Sequence, residues 1–210
     1  MGFFNPDGKF LQTLGKMFDL LLLNIVFLIT CIPIFTIGAS VTSLYYVTLK
    51  MVKNEESYVV RSYFKSFRQN FKQATAIWLI LLLVALMSIG GIVLAGQMTG
   101  IAGYLRYLFA SVLVFEGLLL CYVFPVLSRF DNTVKNILKY SMMMVARHFP
   151  WSILLLTANL CPVVLLWMAS GRILWFLIGL MLALGFSAFA LLCSWCFVEK
   201  IFPMYMPEED

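Results

Sequence analysis

Charged side chains are scarce in this sequence: 12% of its 210 residues are charged, whereas 62% are hydrophobic. A soluble domain usually carries about 25% charged residues. A larger hydrophobic core cannot account for half the usual share of charged residues in a chain of this length. The composition therefore excludes an ordinary soluble domain. The composition therefore predicts that much of the protein surface faces lipid.

Residues that carry out chemistry are also few. A single histidine, His148, excludes a histidine-based metal cluster and a Ser-His-Asp triad. The sequence contains no P-loop and no Gly-rich nucleotide fingerprint. The five cysteines lie in apolar blocks; Cys193 and Cys196 have redox spacing, but packing is the favoured interpretation. We therefore expect no enzyme activity, no cofactor, no metal and no nucleic-acid partner.

Long charge-free runs are what the sequence does have, over 20–49, 73–105 and 173–198. Each exceeds the roughly 20 apolar residues that a helix needs to cross a bilayer. Pro33 and Gly38 interrupt the first run, so we predict a hairpin with its turn at 36–40, although a single kinked span is the alternative. The result is an all-α, single-domain transmembrane bundle with six spans, or five in the alternative. The predicted spans are 17–35, 41–52, 74–97, 104–127, 150–169 and 173–198.

The basic residues between these spans predict the orientation. With six spans, thirteen of the fifteen Lys and Arg residues share one side, and with five spans the division is eleven against four. Cytoplasmic loops carry the excess of Lys and Arg. The connections 53–73 and 129–149 are therefore predicted to be cytoplasmic, and six spans place both termini there as well.

Both cytoplasmic connections show the periodicity of amphipathic helices. In the first, aromatic residues recur three and four positions apart, and basic residues recur at intervals of four, three and four. One interpretation is a helix lying on the inner leaflet against anionic lipid. The other is a docking helix for a partner subunit, with aromatic anchors and a basic rim. The candidate partner- or lipid-binding residues are Arg61, Phe64, Lys65, Phe67, Arg68, Phe71 and Lys72 in the first connection, and Lys135 and Lys139 in the second.

Three polar residues lie inside the predicted spans. Glu116 lies mid-span, where a charge costs about 2.5–3.5 kcal/mol on insertion scales, so it should face the bundle and have a partner. It is either a proton, cation or substrate site or a neutral carboxyl that joins two helices. Asn24 and Asn159 are predicted to form interhelical hydrogen bonds.

Three stretches carry a family resemblance: FNPDGKF, LNIVFLITCIPIFTIGASVTSLYYVTLKMVKNEE and SYFKSFRQNFKQATAIWLI. They resemble the YesL-like bacterial membrane proteins, a family named as a domain of unknown function. Such proteins occur in Gram-positive bacteria, often encoded beside carbohydrate ABC-importer components and their two-component regulators. The resemblance carries over no catalytic residue.

What this resemblance implies is a multi-pass protein of the bacterial plasma membrane with an accessory or regulatory role in carbohydrate ABC import. Its expected partners are membrane lipid and another membrane protein, an importer permease or a sensor. The alternative function is a small transporter or channel that uses Glu116.

Overall fold

The computed structural model describes residues 9–55, 58–98, 103–130, 132–168 and 185–202, together with 171, 175, 178 and 179. Every regular element within these residues is a helix, which confirms the all-α class. The α-helices are α1 (Lys9–Cys31), α2 (Ile37–Val52), α3 (Val59–Gly96), α4 (Leu105–Arg129), α5 (Val134–Arg147), α6 (Phe149–Met168) and α7 (Phe186–Cys196). A 3₁₀ turn (Ile34–Thr36) precedes α2, and a π-helical turn (Phe197–Ile201) follows α7.

Three of the described helices are long and apolar enough to cross a membrane: α1 over Leu14–Cys31, α3 over Val59–Gly96 and α4 over Leu105–Arg129. They expose large apolar side chains such as Ile29, Leu83 and Leu108. Contiguous apolar surface of this kind is consistent with contact with lipid. The length and composition of these helices are consistent with a membrane protein.

The prediction of six spans stays a prediction. Helix α2 has 16 residues, about 24 Å, which is shorter than the hydrocarbon core of about 30 Å. Helix α6 coincides closely with the predicted span 150–169. Most of 173–184 and both chain termini lie outside the described residues.

The turn between α1 and α2 lies a few residues earlier than predicted, and Thr36 rather than Gly38 shapes it. The Thr36 hydroxyl lies 2.6 Å from the carbonyl oxygen of Thr30 and 2.7 Å from that of Pro33. It thereby donates to the Thr30 carbonyl in the last turn of α1, where carbonyls lack helical partners, and also approaches the Pro33 carbonyl within the turn. Trp78 on α3 donates its indole N–H to the Ile34 carbonyl at 2.9 Å, which fastens the turn to α3.

Gly38 lies inside α2, where its role is close packing. A Cβ at this position would lie 2.6 Å from the Ala74 carbonyl oxygen and 2.6 Å from the Trp78 Cβ. The absence of a side chain therefore lets the backbones of α2 and α3 approach, as small residues do between membrane helices.

Helix α3 joins two segments that the sequence pattern separated, the connection 53–73 and the span 74–97. Neither glycine nor proline occurs between Val59 and Ile89, so nothing in the sequence interrupts the helix. Its 38 residues correspond to about 57 Å, well beyond the bilayer core. The basic first third of α3 is thus a rigid extension of an apolar helix.

Helix α2 occupies the centre of the bundle and contacts α1, α3, α4 and α7. Most of its side chains are buried, and several of them carry hydroxyl groups. The hydroxyls of Ser40, Thr42, Ser43 and Thr48 each lie within 3.1 Å of a carbonyl oxygen four residues earlier in the chain. Thr48 also pairs with Ser194 of α7, at 2.7 Å between the two oxygens. These bonds satisfy polar groups that would otherwise be costly to bury.

Candidate functional site

The basic residues of α3 form an exposed stripe. Arg61, Lys65, Arg68 and Lys72, here called the basic stripe, are all exposed to solvent. Their intervals of four, three and four residues keep them on one side of the helix. The structure therefore leaves these four predicted binding residues available to a partner or a lipid surface.

The aromatic residues of the same segment divide between surface and core. Phe64 is 45% exposed, whereas Phe67 and Phe71 are half-buried and pack against the core. Their ring centroids lie 5.5 Å apart. Phe67 and Phe71 thus help to hold α3 in the bundle, and Phe64 is the exposed member of these three phenylalanines.

Tyr63 organises this region, although the sequence pattern did not single it out. It is fully buried, and its ring stacks on Phe67 with centroids 6.2 Å apart. Its hydroxyl lies 2.6 Å from the Thr30 hydroxyl and donates to the Ser40 carbonyl at 3.4 Å. One side chain therefore links α1, α2 and α3. In the sequence, this role is indicated by the spacing of four residues between Tyr63 and Phe67, which places both rings on one face of the helix.

The second predicted binding segment, α5, lies beside the first. Lys135 and Lys139 are exposed, whereas the opposite face of α5 packs against α4 through residues such as Ile137. An open depression is lined by Lys72 of α3 and by Asn132, just before α5. The fold thus brings the two basic segments to one end of the bundle.

A cavity of about 250 Å³ lies at the same end and was not predicted. It is lined by Lys50 and Lys53 at the end of α2, Lys65 on α3 and Arg129 at the end of α4. The Lys50 ammonium lies 4.7 Å from the centroid of the Tyr46 ring, a cation–π contact. We call this site the basic cavity. The sequence offered no signal for it, because its residues come from four separate segments, including the π-helical turn after α7.

The three polar residues of the predicted spans have different environments. Asn24 is buried and its side-chain oxygen accepts from the backbone N–H of Ser187 at 3.1 Å, so it joins α1 to α7. Asn159 donates to the Leu155 carbonyl within α6 at 2.7 Å and approaches the Cys121 sulfur of α4 at 3.6 Å. Its contact across helices is therefore the weaker one.

Glu116 differs from both asparagines. It is 5% exposed, and neither carboxylate oxygen has a hydrogen-bond partner among the residues that the structure describes. It lies where α4 changes from an exposed first half to a buried second half. A buried polar group without a partner is costly and marks a position that needs a functional or structural explanation.

Four of the five cysteines and the single histidine have described side chains. Cys31, Cys121, Cys193 and Cys196 are free thiols. In the part of the chain that the structure describes, no group of three or more His, Cys, Asp or Glu residues could hold a metal ion. His148 lies buried between α5 and α6. Burial and the neighbouring charge of Arg147 lower its pKa from the ordinary value of 6.5.

Comparison with models of known protein families gives a match within the first half of the chain. Residues 20–91 match the family described as "Protein of unknown function, DUF624". The match covers less than half of the chain, from within α1 through α2 and most of α3. It includes Asn24, Tyr63 and the basic stripe, but not Glu116. No curated protein and no solved structure matches the chain.

Proposed function

We propose that this chain is a YesL-like, six-span protein of the bacterial plasma membrane with both termini in the cytoplasm. It acts without catalysis, as an accessory or regulatory partner of a carbohydrate ABC import system. The resemblance of its first 80 residues to the YesL-like proteins supports this assignment, and the match of residues 20–91 is compatible with it.

The observation that carries the docking proposal is the exposed basic stripe with Phe64 beside it. Interfaces are anchored by aromatic and arginine side chains. The stripe belongs to a helix that continues without a break into an apolar, membrane-length segment. A partner bound there would contact a continuous, rigid helix rather than a flexible loop. Lys135 and Lys139 extend the same charged surface.

Co-purification in mild detergent with a co-expressed carbohydrate-importer permease tests this proposal. The informative variant combines Phe64→Ala with Arg61→Gln and Arg68→Gln, because these exposed side chains contribute little to folding. Phe67 and Phe71 are unsuitable, since they pack against the core. We expect the variant to lose at least about tenfold in permease recovery.

The matched control changes the other end of the bundle. Tyr104→Ala with Arg106→Gln alters an exposed aromatic and an exposed arginine at the start of α4, about 35 Å from Arg129 along the helix. Recovery of the permease should be unchanged. Equal recovery with both variants would contradict docking through α3 and would favour the interpretation that the stripe contacts lipid.

A second candidate function, a small transporter or channel, rests on Glu116. Its two buried oxygens lack partners among the described residues, and intramembrane carboxylates of this kind mark proton or ion pathways. Proton flux into proteoliposomes, followed with an entrapped pH-sensitive dye, tests this function. Glu116→Gln should abolish the flux while the protein still elutes as a folded species.

A structural role for Glu116 predicts a different result. The neutral amide would then leave any flux unchanged and alter only the melting temperature. The exposed Glu55→Gln serves as the control, because it removes one carboxylate from the surface. Loss of flux in both variants would also count against a pathway through Glu116.

A further inference from the structure

The basic cavity brings positive charge from separate elements to one partly open space. Lys50 and Lys53 reach it from α2, Lys65 from α3 and Arg129 from α4, and one acidic residue, Glu55, also lines it. Among the lysines and carboxylates of the lining, three lysines face one carboxylate. The cavity volume is about 250 Å³, which is room for a small anionic group.

The three lysines are not neutralised within the described residues. No described carboxylate lies within ion-pair distance of Lys50, Lys53 or Lys65. Lys50 instead makes a cation–π contact with the Tyr46 ring. Like charges that converge on a cavity repel each other, and the repulsion is stronger where water is partly excluded.

Helix termini explain only part of this arrangement. Lys50 lies in the last turn of α2 and Arg129 in the last turn of α4, where the helix dipole favours cations. Lys65 lies in the interior of α3 and gains nothing from such an end. The position of Lys65 at the same cavity therefore does not follow from a helix end.

We propose that the basic cavity binds a phosphate group. Lysine is a common phosphate ligand because its ammonium acts as a compact charge with three donors. Gln69 on α3 lines the cavity as well and offers amide N–H donors. The phosphate belongs either to the headgroup of an anionic phospholipid or to a free soluble phosphate. Lys65 belongs both to this site and to the basic stripe, but phosphate binding in the cavity does not require the importer partner proposed above.

Binding to the purified full-length protein in neutral detergent tests the proposal without any permease. One arm adds phosphatidylglycerol or, for comparison, phosphatidylcholine, and counts bound lipid by native mass spectrometry. The other arm titrates inorganic phosphate and follows heat or a thermal shift. The test variant is Lys50→Gln with Lys53→Gln and Lys65→Gln. We expect it to weaken binding by more than about tenfold.

The control variant removes the same charge outside the cavity, by Arg61→Gln with Lys135→Gln and Lys139→Gln, which are all exposed. It should retain binding within about twofold. The double variant Lys53→Gln with Lys65→Gln leaves the half-buried Lys50 in place and guards against misfolding.

Each outcome decides the proposal. Loss of phosphatidylglycerol binding confined to the cavity variants identifies a lipid headgroup site, and loss of inorganic phosphate binding confined to them identifies a soluble phosphate site. If the wild-type protein binds neither phosphatidylglycerol nor inorganic phosphate, the proposal is overturned. Equal loss in the control variant also overturns it, because binding would then reflect the general positive charge of this end.

Discussion

Replacing Gly38 with alanine should destabilise the contact between α2 and α3. The added Cβ would lie 2.6 Å from the Ala74 carbonyl oxygen and 2.6 Å from the Trp78 Cβ. Neither atom can move away by a side-chain rotation, because one belongs to the backbone and the other is attached directly to it. The two helices must therefore separate, which also strains the hydrogen bond from Trp78 to the Ile34 carbonyl.

The size of the effect follows from two opposing contributions. Overpacking in a well-packed core costs about 1–3 kcal/mol, and the upper half of this range applies because rigid atoms are involved. Alanine regains about 1 kcal/mol over glycine inside a helix. The net loss is about 1–2 kcal/mol, which corresponds to a fall in Tm of about 2–8 °C for a chain of this length.

Thermal unfolding of the purified protein in detergent measures this change. Gly90→Ala provides the matched control, because nothing lies within 4 Å of a Cβ built at that helical position. Its Tm should equal or slightly exceed that of the wild type. A Gly38→Ala protein as stable as the Gly90→Ala protein would refute the close packing of α2 on α3.

Two further predictions concern Tyr63 and His148. Tyr63→Phe removes the hydroxyl that meets Thr30, so the Tm should fall by about 2–4 °C for a loss of about 1 kcal/mol, whereas Tyr58→Phe at a 70% exposed position should not change it. Because the folded protein holds the pKa of His148 below 6.5, the unfolded chain binds the proton more readily and stability should decline as the pH falls below that value. His148→Gln should reduce the difference between the Tm values at about pH 7.5 and about pH 5; an unchanged difference would show that other groups cause it.

The helix content and the membrane character could be predicted from the sequence, and the helix boundaries only in part. Charge-free runs and apolar periodicity depend on neighbours along the chain, so α4 and α6 are close to expectation, whereas α1 and α3 begin well before the predicted spans. The α1–α2 turn was misplaced because glycine permits either a turn or close packing, and only the position of Ala74 decides between them.

The candidate sites show the same division. The exposure of the basic stripe follows from helical spacing alone, since charged residues four or three apart share a face. The roles of the aromatic residues could not be predicted from helical spacing, because Phe64, Phe67 and Phe71 share one periodicity yet differ in burial. Which of them meets the core depends on where α1 and α2 lie against α3.

By itself, the sequence determined that this is an all-helical chain with apolar segments of membrane length and with basic segments between them. These properties depend on side-chain type and period, which are local along the chain. Only the tertiary structure decided that Tyr63 links three helices, that Gly38 admits the backbone of α3, and that Lys50, Lys53 and Lys65 line one cavity. Each of these contacts joins residues from different helices, and the packing of the helices sets the distances between them.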